Sequence, residues 1–312
     1  MVVLGSRGSH LARAMADEVL AALTGLYPEV DFRQRVITTT GDRDRRTELS
    51  VLGGDYGGTF TKALEVALLN GEIDIAMHSL KDLPTVLPDG LSLAAIPTRD
   101  DARDALCGSR LAELAIGARV GTGSPRRRAQ LLHARPDLDI VQIRGNVTPR
   151  LSRLESSASM AAIVLATAGL KRVGLEAKVT EVLPADRFAP AAGQGAIALE
   201  VRTVDAALRT LLEAVEDAST RTTVTAERAL LHELGGGCSL PVGAHCVLAD
   251  GALRLRGQVT SLDGTLNVFV ELDGPLSHPE ALGRDVAESL LTNGGATILR
   301  DILSSRESPS TP

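Results

Sequence analysis

A cysteine that directly follows three glycines is the first feature of this sequence that could do covalent chemistry. Residues 235–237 are glycine, Cys238 comes next, and Pro241 closes the segment. Glycine permits backbone conformations with positive φ and lets another molecule approach closely. An accessible thiol can act as a nucleophile. For this segment alone, a glycine-rich loop carrying a small inert residue is the alternative interpretation.

Four further segments share one arrangement, in which a strand ends, a glycine or serine turns the chain, and an arginine follows near a predicted helix. They are residues 5–9, 121–128, 144–150 and 169–172. In the second, Ser124 is expected to cap the helix and Pro125 to be its first residue. Helix N-termini bind anions, and we expect all four segments to meet at the C-terminal edge of a sheet. The pattern therefore predicts a site for a ligand with several carboxylates or phosphates, although each segment alone could be a solvated basic patch.

Asp82 is the candidate general acid and base of this site. It follows a predicted buried strand at residues 73–77, in a motif that also contains His78, Lys81 and Pro84. A carboxylate placed rigidly beside a lysine and an arginine-rich cleft can move protons. A surface turn before a proline is the alternative interpretation of the same residues.

The elements that must position these residues alternate between strand and helix. Apolar runs predict strands at 2–4, 30–37, 73–77 and 91–96, with helices at 11–23 and 60–70. A charged stretch at 97–105 is interpreted as a connection to a second set of strands at 118–120, 139–143 and 161–166. A hinge at 190–195 precedes a strand at 196–201 that returns to the first set. The prediction is an α/β fold of two doubly wound lobes around a cleft.

The last third of the chain has a different pattern. A helix is predicted at 222–233, capped by Ser219 or Thr220. Three strands follow at 242–248, 253–259 and 266–272, separated by Asp-Gly pairs that are strong hairpin signals. This part is predicted to be a small α+β domain with a three-stranded antiparallel sheet.

Composition narrows the function classes. The 312-residue chain has a net charge of −6 and 2% aromatic residues, which argues against a nucleic-acid partner. No run of about 18 apolar residues and no signal peptide is evident, so we expect a cytoplasmic protein without a membrane partner. Three cysteines fit a reducing compartment, and no Cys/His spacing favours a metal site.

These motifs together resemble the porphobilinogen deaminase family, also called hydroxymethylbilane synthases. The similarity runs from Leu4 to about Asn293 and is carried by residues 6–9, 40–42, 60–65, 77–84, 120–127, 144–147, 168–172, 193–195, 225–228 and 236–241. It implies three domains, the first two like periplasmic binding proteins, at residues 1–97 with 196–216, 98–195, and 217–312. It also implies a monomeric transferase that adds four porphobilinogen units stepwise, with loss of ammonia. Hydrolysis then releases hydroxymethylbilane, which passes to uroporphyrinogen-III synthase.

The resemblance also implies roles for individual residues. Asp82 matches the catalytic aspartate, and Cys238 matches the cysteine that holds a dipyrromethane cofactor by a thioether. Positions that match cofactor-binding residues are Lys81, Thr122, Ser124, Arg126, Arg127 and Arg144. Positions that match substrate-binding residues are Arg7, Ser9, Arg150 and Arg172.

Two other functions use the same features. A binding module for a polycarboxylate or polyphosphate would need the cleft and its arginines, but neither Cys238 nor a third domain. A cysteine-nucleophile hydrolase would need a histidine base beside the thiol, and no such pairing is evident in the sequence.

Overall fold

The computed structural model describes residues 1–38, 56–236 and 240–307. The strands in these ranges are β1 (Val2–Arg7), β2 (Phe32–Ile37), β3 (Ile75–Ser79), β4 (Leu91–Ala95), β5 (Asp104–Gly108), β6 (Arg119–Gly121), β7 (Asp139–Val141), β8 (Met160–Ala166), β9 (Glu181–Val182), β10 (Ile197–Arg202), β11 (Val242–Ala249), β12 (Ala252–Thr260) and β13 (Asn267–Gly274). The helices are α1 (His10–Leu26), α2 (Tyr56–Leu69), α3 (Pro125–Ala134), α4 (Val147–Ser156), α5 (Thr167–Arg172), α6 (Ala206–Leu212), α7 (Ala218–Glu233), α8 (Pro279–Leu290) and α9 (Ala296–Glu307).

The first two sheets repeat one strand arrangement. The first has the order β2-β1-β3-β10-β4 and the second β7-β6-β8-β5-β9. In each, the first three strands are parallel and the fourth runs antiparallel to its neighbours. Because β10 follows the second sheet in the chain but pairs within the first, the chain crosses between the sheets twice. The predicted α/β fold with two doubly wound lobes is confirmed by this strand order.

Helices cover both faces of each sheet, as strands with apolar residues on both faces require. On one face of the first sheet, α1 packs Met15 and Val19 against Leu4. On the opposite face, α2 packs Leu64 against Ile73. The second sheet is covered in the same way, with α3 in one cluster and α4 in the other.

The third sheet is antiparallel, with the order β11-β12-β13. Residues of α7, α8 and α9 form one apolar core with it. Asp250 and Gly251 have φ of 52° and 78°, the left-handed conformations that a two-residue type I′ turn needs. The predicted hairpin is therefore confirmed.

Two sequence predictions about elements were wrong. Residues 97–103 do connect the two sheets, but the predicted connection extended to residue 105 and so missed β5, which begins at Asp104. The first residue of this strand, Asp104, is charged although it is buried, so the short apolar run after it was assigned to the charged stretch. The cap of α7 is Asp217, whose side chain accepts a hydrogen bond from the Thr220 amide at 2.6 Å, and not Ser219 or Thr220.

No helix in the described ranges combines the length and the apolar character that crossing a membrane would take.

Candidate active site

A cavity of about 180 Å³ lies where strands of the first two sheets end. Arg7, Ser79 and Ala166, the last residues of β1, β3 and β8, all line it. Ligands of open α/β sheets bind at such C-terminal edges. The four glycine- and arginine-bearing segments therefore meet at this cavity as predicted, but not at the edge of a single sheet, because the first segment follows a strand of the first sheet and the other three follow strands of the second.

The cavity is strongly cationic. Of the described residues that line it, Arg7, Lys81, Arg127 and Arg150 bear basic side chains and Asp82 bears a carboxylate. This excess of positive charge around a single acid suits a ligand with several carboxylates, because charge-assisted hydrogen bonds are the strong ones.

Helix N-termini add backbone donors to the same cavity. Ser9 lines it and caps α1, accepting a hydrogen bond from the Ala12 amide at 3.2 Å. Asn146 and Val147, at the start of α4, also line it. Unpaired N–H groups and the positive end of the helix dipole favour anions there.

Asp82 is held in a short 3₁₀ turn, Leu80–Asp82, directly after β3. Leu80 is fully buried, and the Leu83 amide closes the turn on the Leu80 carbonyl at 3.2 Å. Arg228 of α7 then donates to the carbonyls of Leu83 and Pro84, at 3.3 and 2.7 Å. The backbone on both sides of Asp82 is therefore fixed, which a residue that transfers protons to a bound ligand requires.

Arg127 and Arg126 are both paired with Asp104 at the start of β5. Arg127 Nη2 lies 2.6 Å from Asp104 Oδ1, and Arg126 Nη2 lies 2.8 Å from Oδ2. Burial alone would raise the pKa of Asp104, but the two guanidinium groups lower that pKa well below its usual range. One carboxylate therefore compensates two buried cations and leaves a net positive charge beside the cavity.

The two arginines are not equivalent in this structure. Arg127 lines the cavity, whereas Arg126 is 4% exposed and also donates to the Ala189 carbonyl at 2.8 Å. Of the described residues with a predicted role, Thr122, Ser124, Arg126, Arg144 and Arg172 do not line the cavity.

Several of these remaining residues have partners within the protein. Ser124 caps α3 as predicted, accepting from the Arg127 amide at 3.4 Å, and Thr122 accepts from the Ser124 amide at 3.2 Å. Arg172 donates to Glu18 of α1 and to the Gly195 carbonyl, both at 3.0 Å. Arg172 therefore connects the second sheet's helix α5 to the first lobe.

Arg150 has the character of a group placed for an anionic ligand. Its Nε is buried and has no hydrogen-bond partner among the described residues. Burial, together with the charges of Arg127 and Arg153, lowers the pKa of Arg150 to about 10. A carboxylate at this point would relieve both the missing hydrogen bond and the like-charge repulsion.

Lys81 is expected to lose its proton at a lower pH than an ordinary lysine. Burial and the charge on Arg127 lower the pKa of Lys81 to about 8, against the raising effect of Asp82. Its cation is therefore present below about pH 8 and is lost as the pH rises through that value. Trace acetylation of the ligand-free chain at increasing pH, quantified by mass spectrometry, should give a Lys81 titration midpoint near 8. The chain has only three other lysines, Lys62, Lys171 and Lys178, which serve as internal references; a midpoint near 10 would contradict the expectation.

Sequence reasoning missed three groups behind the cavity. Glu227 of α7 is fully buried and binds both crossings between the sheets, through Arg99 at 2.7 Å and the Gly193 amide at 2.8 Å. Gln194 lies on the second crossing and contacts Lys81 and Arg127. The only signals in the sequence were the short motifs at 193–195 and 225–228, which carry no information about long-range partners.

A buried histidine–glutamate pair is the third of these groups. His78 lines the cavity, and its Nε2 lies 3.1 Å from a carboxylate oxygen of Glu200 on β10. Glu65 lies nearby on α2, and burial raises its pKa. Glu200 and Glu65 therefore place acidic groups behind His78 at the wall of an otherwise cationic cavity.

Cys238 lies outside the described residues, as do its neighbours Gly237 and Ser239. The other two cysteines are free and buried. Burial raises the pKa of the Cys107 thiol to about 11 and raises that of Cys246 as well. Both are poor nucleophiles, because the thiolate is the reactive form.

Comparison with known proteins gives one consistent result. A family model described as "Porphobilinogen deaminase, dipyromethane cofactor binding domain" matches residues 2–210, and "Porphobilinogen deaminase, C-terminal domain" matches residues 221–292. The porphobilinogen deaminase of Desulforudis audaxviator is 48% identical over 301 residues, covering 96% of each chain. That of Syntrophus aciditrophicus is 43% identical over 302 residues, covering 96% of this chain and 98% of the relative.

Solved structures are similar at a lower level. The second substrate binding domain of a putative amino acid ABC transporter from Streptococcus pneumoniae has a TM-score of 0.41 and 12% identity, covering 69% of this chain and 92% of that one. The fold assignment therefore rests on the strand order, and the family assignment on sequence similarity along nearly the whole chain. This chain belongs to the porphobilinogen deaminase family, and it contains that family's dipyrromethane cofactor-binding domain.

Proposed function

We propose that this enzyme of tetrapyrrole synthesis is a transferase that joins four porphobilinogen molecules one at a time, with loss of one ammonia at each addition. Hydrolysis then releases hydroxymethylbilane. The observation that carries the proposal is the cavity in which one carboxylate, Asp82, lies among Lys81 and three arginines. A growing chain of pyrroles, each with two carboxylates, requires this excess of cations.

The residues around the cavity fit a dipyrromethane cofactor. Its carboxylates match basic side chains that are incompletely compensated within the protein, above all the pair of arginines that share the single carboxylate of Asp104. Lys81 and Arg127 would hold the cofactor from the cavity wall. By resemblance, Thr122, Ser124, Arg126 and Arg144 would support it from the second lobe. When bound, the dipyrromethane supplies the pyrrole carbon to which the first porphobilinogen is joined.

The substrate side of the cavity is assigned to the residues nearest the helix N-termini. Arg7, Ser9 and Arg150 line the cavity and would bind the carboxylates of the incoming porphobilinogen. Arg172 would act on later additions, since its side chain lies between α5 and α1 at the junction of the lobes. Asp82 would transfer protons to and from pyrrole nitrogens and stabilise positive charge that develops on the substrate.

We expect intact mass measurement to find a dipyrromethane on Cys238. Cys107 and Cys246 are buried with raised thiol pKa values, so Cys238 is the cysteine left for a thioether. Peptide mapping should locate the added mass on the peptide that contains Cys238, and Cys238→Ala should abolish both the adduct and ammonia release.

Cys107→Ala and Cys246→Ala are the matched controls and should keep the adduct. An adduct on either of these cysteines would refute the assignment. An active chain without any adduct would refute the cofactor's role altogether. A chain that binds porphobilinogen without releasing ammonia would instead support the binding-module alternative.

The same proposal covers the chain's organisation and setting. It divides the chain into residues 1–97 with 196–216, residues 98–195, and residues 217–312, which is supported by the pairing of β10 with β3 and β4. It describes a cytoplasmic monomer whose product is used by uroporphyrinogen-III synthase.

A further inference from the structure

Gln194 is a buried amide at the point where the chain crosses back from the second sheet to the first. Gln194 is 1% exposed, and its neighbours Gly193 and Gly195 have φ of 72° and 91°. A Cβ at Gly195 would clash with the Asp100 carbonyl oxygen on the other crossing. The two crossings therefore touch here, and only glycine permits it.

Every hydrogen-bonding position of the Gln194 amide is used. Its Oε1 accepts from Lys81 Nζ at 3.1 Å and from Arg127 Nη2 at 3.3 Å. Its Nε2 donates to Asp104 Oδ1 at 2.8 Å and to the Ala102 carbonyl at 2.6 Å. The carbonyl end of the amide therefore faces two cations and the NH₂ end faces two acceptors, which leaves one sensible orientation.

The two cations come from different lobes. Lys81 follows β3 of the first sheet, and Arg127 belongs to α3 beside the second. Both line the cavity, where they repel one another. A neutral oxygen can hold both side chains by hydrogen bonds without cancelling their charge, whereas a carboxylate in its place would neutralise them.

We propose that Gln194 is a positioning residue that holds Lys81 and Arg127 together at the cavity wall without adding a negative charge, so that both side chains face one carboxylate of the bound ligand. The identity of that ligand rests on the proposed function; the positioning itself does not. Gln194 is fixed for this task by its backbone carbonyl, which accepts from Arg99 Nε at 2.8 Å.

The test compares Gln194→Glu with the wild type by two independent measurements. The first is the titration of Lys81 by trace acetylation, followed from about pH 6 to pH 11 in the Cys238→Ala background, so that no cofactor carboxylate adds to the charges around Lys81. The charged groups around Lys81 are Asp82, Asp104, Arg126 and Arg127, and all remain in the variant. A new carboxylate within hydrogen-bonding distance should raise the Lys81 midpoint by about one pH unit or more. The second is the fraction of chains that carry dipyrromethane, from intact mass, which should fall at least about tenfold as the new charge takes the place of the ligand's carboxylate.

The matched control is Gln258→Met. Gln258 is also a buried glutamine, 2% exposed, and it hydrogen-bonds Gln130 and the Ala189 amide away from Lys81. This variant should lose stability but keep the Lys81 midpoint near 8 and the cofactor content of the wild type. If Gln194→Glu does not fold, Gln194→Met takes its place, and removal of the shared acceptor should move the midpoint below about 8.

Each outcome decides something. An unchanged Lys81 midpoint in the Gln194 variant overturns the positioning role. A raised midpoint with unchanged cofactor content overturns the link to carboxylate binding. If the wild type itself carries no adduct while the midpoint still shifts, the proposed function fails and the positioning role stands.

Discussion

Replacement of Asp82 by asparagine is expected to abolish nearly all ammonia release while leaving the fold intact. The carboxylate is the single acidic group among the basic residues that line the described cavity. Loss of ammonia from an aminomethylpyrrole leaves a cation, and a fixed anion beside it lowers the barrier. Removal of such a group costs on the order of 10²-fold or more in turnover.

Asp82→Glu tests whether position matters as well as charge. The extra methylene displaces the carboxylate by about 1 Å, and a misplacement of that size can cost on the order of 10²-fold. Because Leu80 and Arg228 hold the backbone on both sides of Asp82, the turn cannot easily shift to compensate. The glutamate variant should therefore keep a small residual activity that the asparagine variant lacks.

The measurement is single-turnover ammonia release from variants whose cofactor content has been matched by intact mass. Asp89→Asn is the control, since Asp89 is exposed and lies outside the cavity lining, and its rate should equal that of the wild type. An Asp82→Asn enzyme as fast as the wild type would remove Asp82 from the mechanism.

Replacement of Asp104 by asparagine should lower the free energy of unfolding more than any of the other substitutions proposed above. Its carboxylate is 1% exposed and compensates both Arg126 and Arg127, which are themselves buried. Removal of one partner of a buried ion pair costs about 3–5 kcal/mol, because the remaining charge is left uncompensated. Here two guanidinium groups lose their partner, so urea unfolding should show at least that decrease in the free energy of unfolding.

The effect should depend on pH in a defined direction. The pKa of Asp104 is lowered in the folded protein by the two arginines. Its stabilising contribution is therefore fully present above the unfolded value of about 3.9 and is lost as the pH falls toward the folded value. The difference between wild type and Asp104→Asn should shrink below about pH 4.

Asp139→Asn provides the matched control in the same sheet. Asp139 pairs with Arg119 at 2.9 Å, but its side chain is 48% exposed. An exposed pair contributes about 0–1 kcal/mol, so this variant should unfold almost like the wild type. Equal losses in the two variants would show that burial of the Asp104 cluster has no special effect.

Features decided by neighbouring residues were predictable from the sequence. Ser124 caps α3, and the Asp250-Gly251 turn joins β11 to β12, because local backbone chemistry determines both. The strand-turn-helix segments also predicted that Arg7 and Arg150 would share one cavity, although the two residues belong to different sheets and not to one sheet edge as expected. Family motifs then supplied what local chemistry could not, the roles expected of Asp82 and Cys238.

The partners of the buried charges could not be predicted from local patterns. Asp104 looked like part of a charged connection, yet it begins β5 and binds Gln194, 90 residues away. Glu227 meets Arg99 across 128 residues. Such pairs leave no periodicity in the chain, because they form only where two lobes and a third sheet converge. Local patterns were therefore enough to predict the elements and a cationic site, whereas the crossing of the chain between the lobes sets which cations line the cavity and how far Asp104 compensates them.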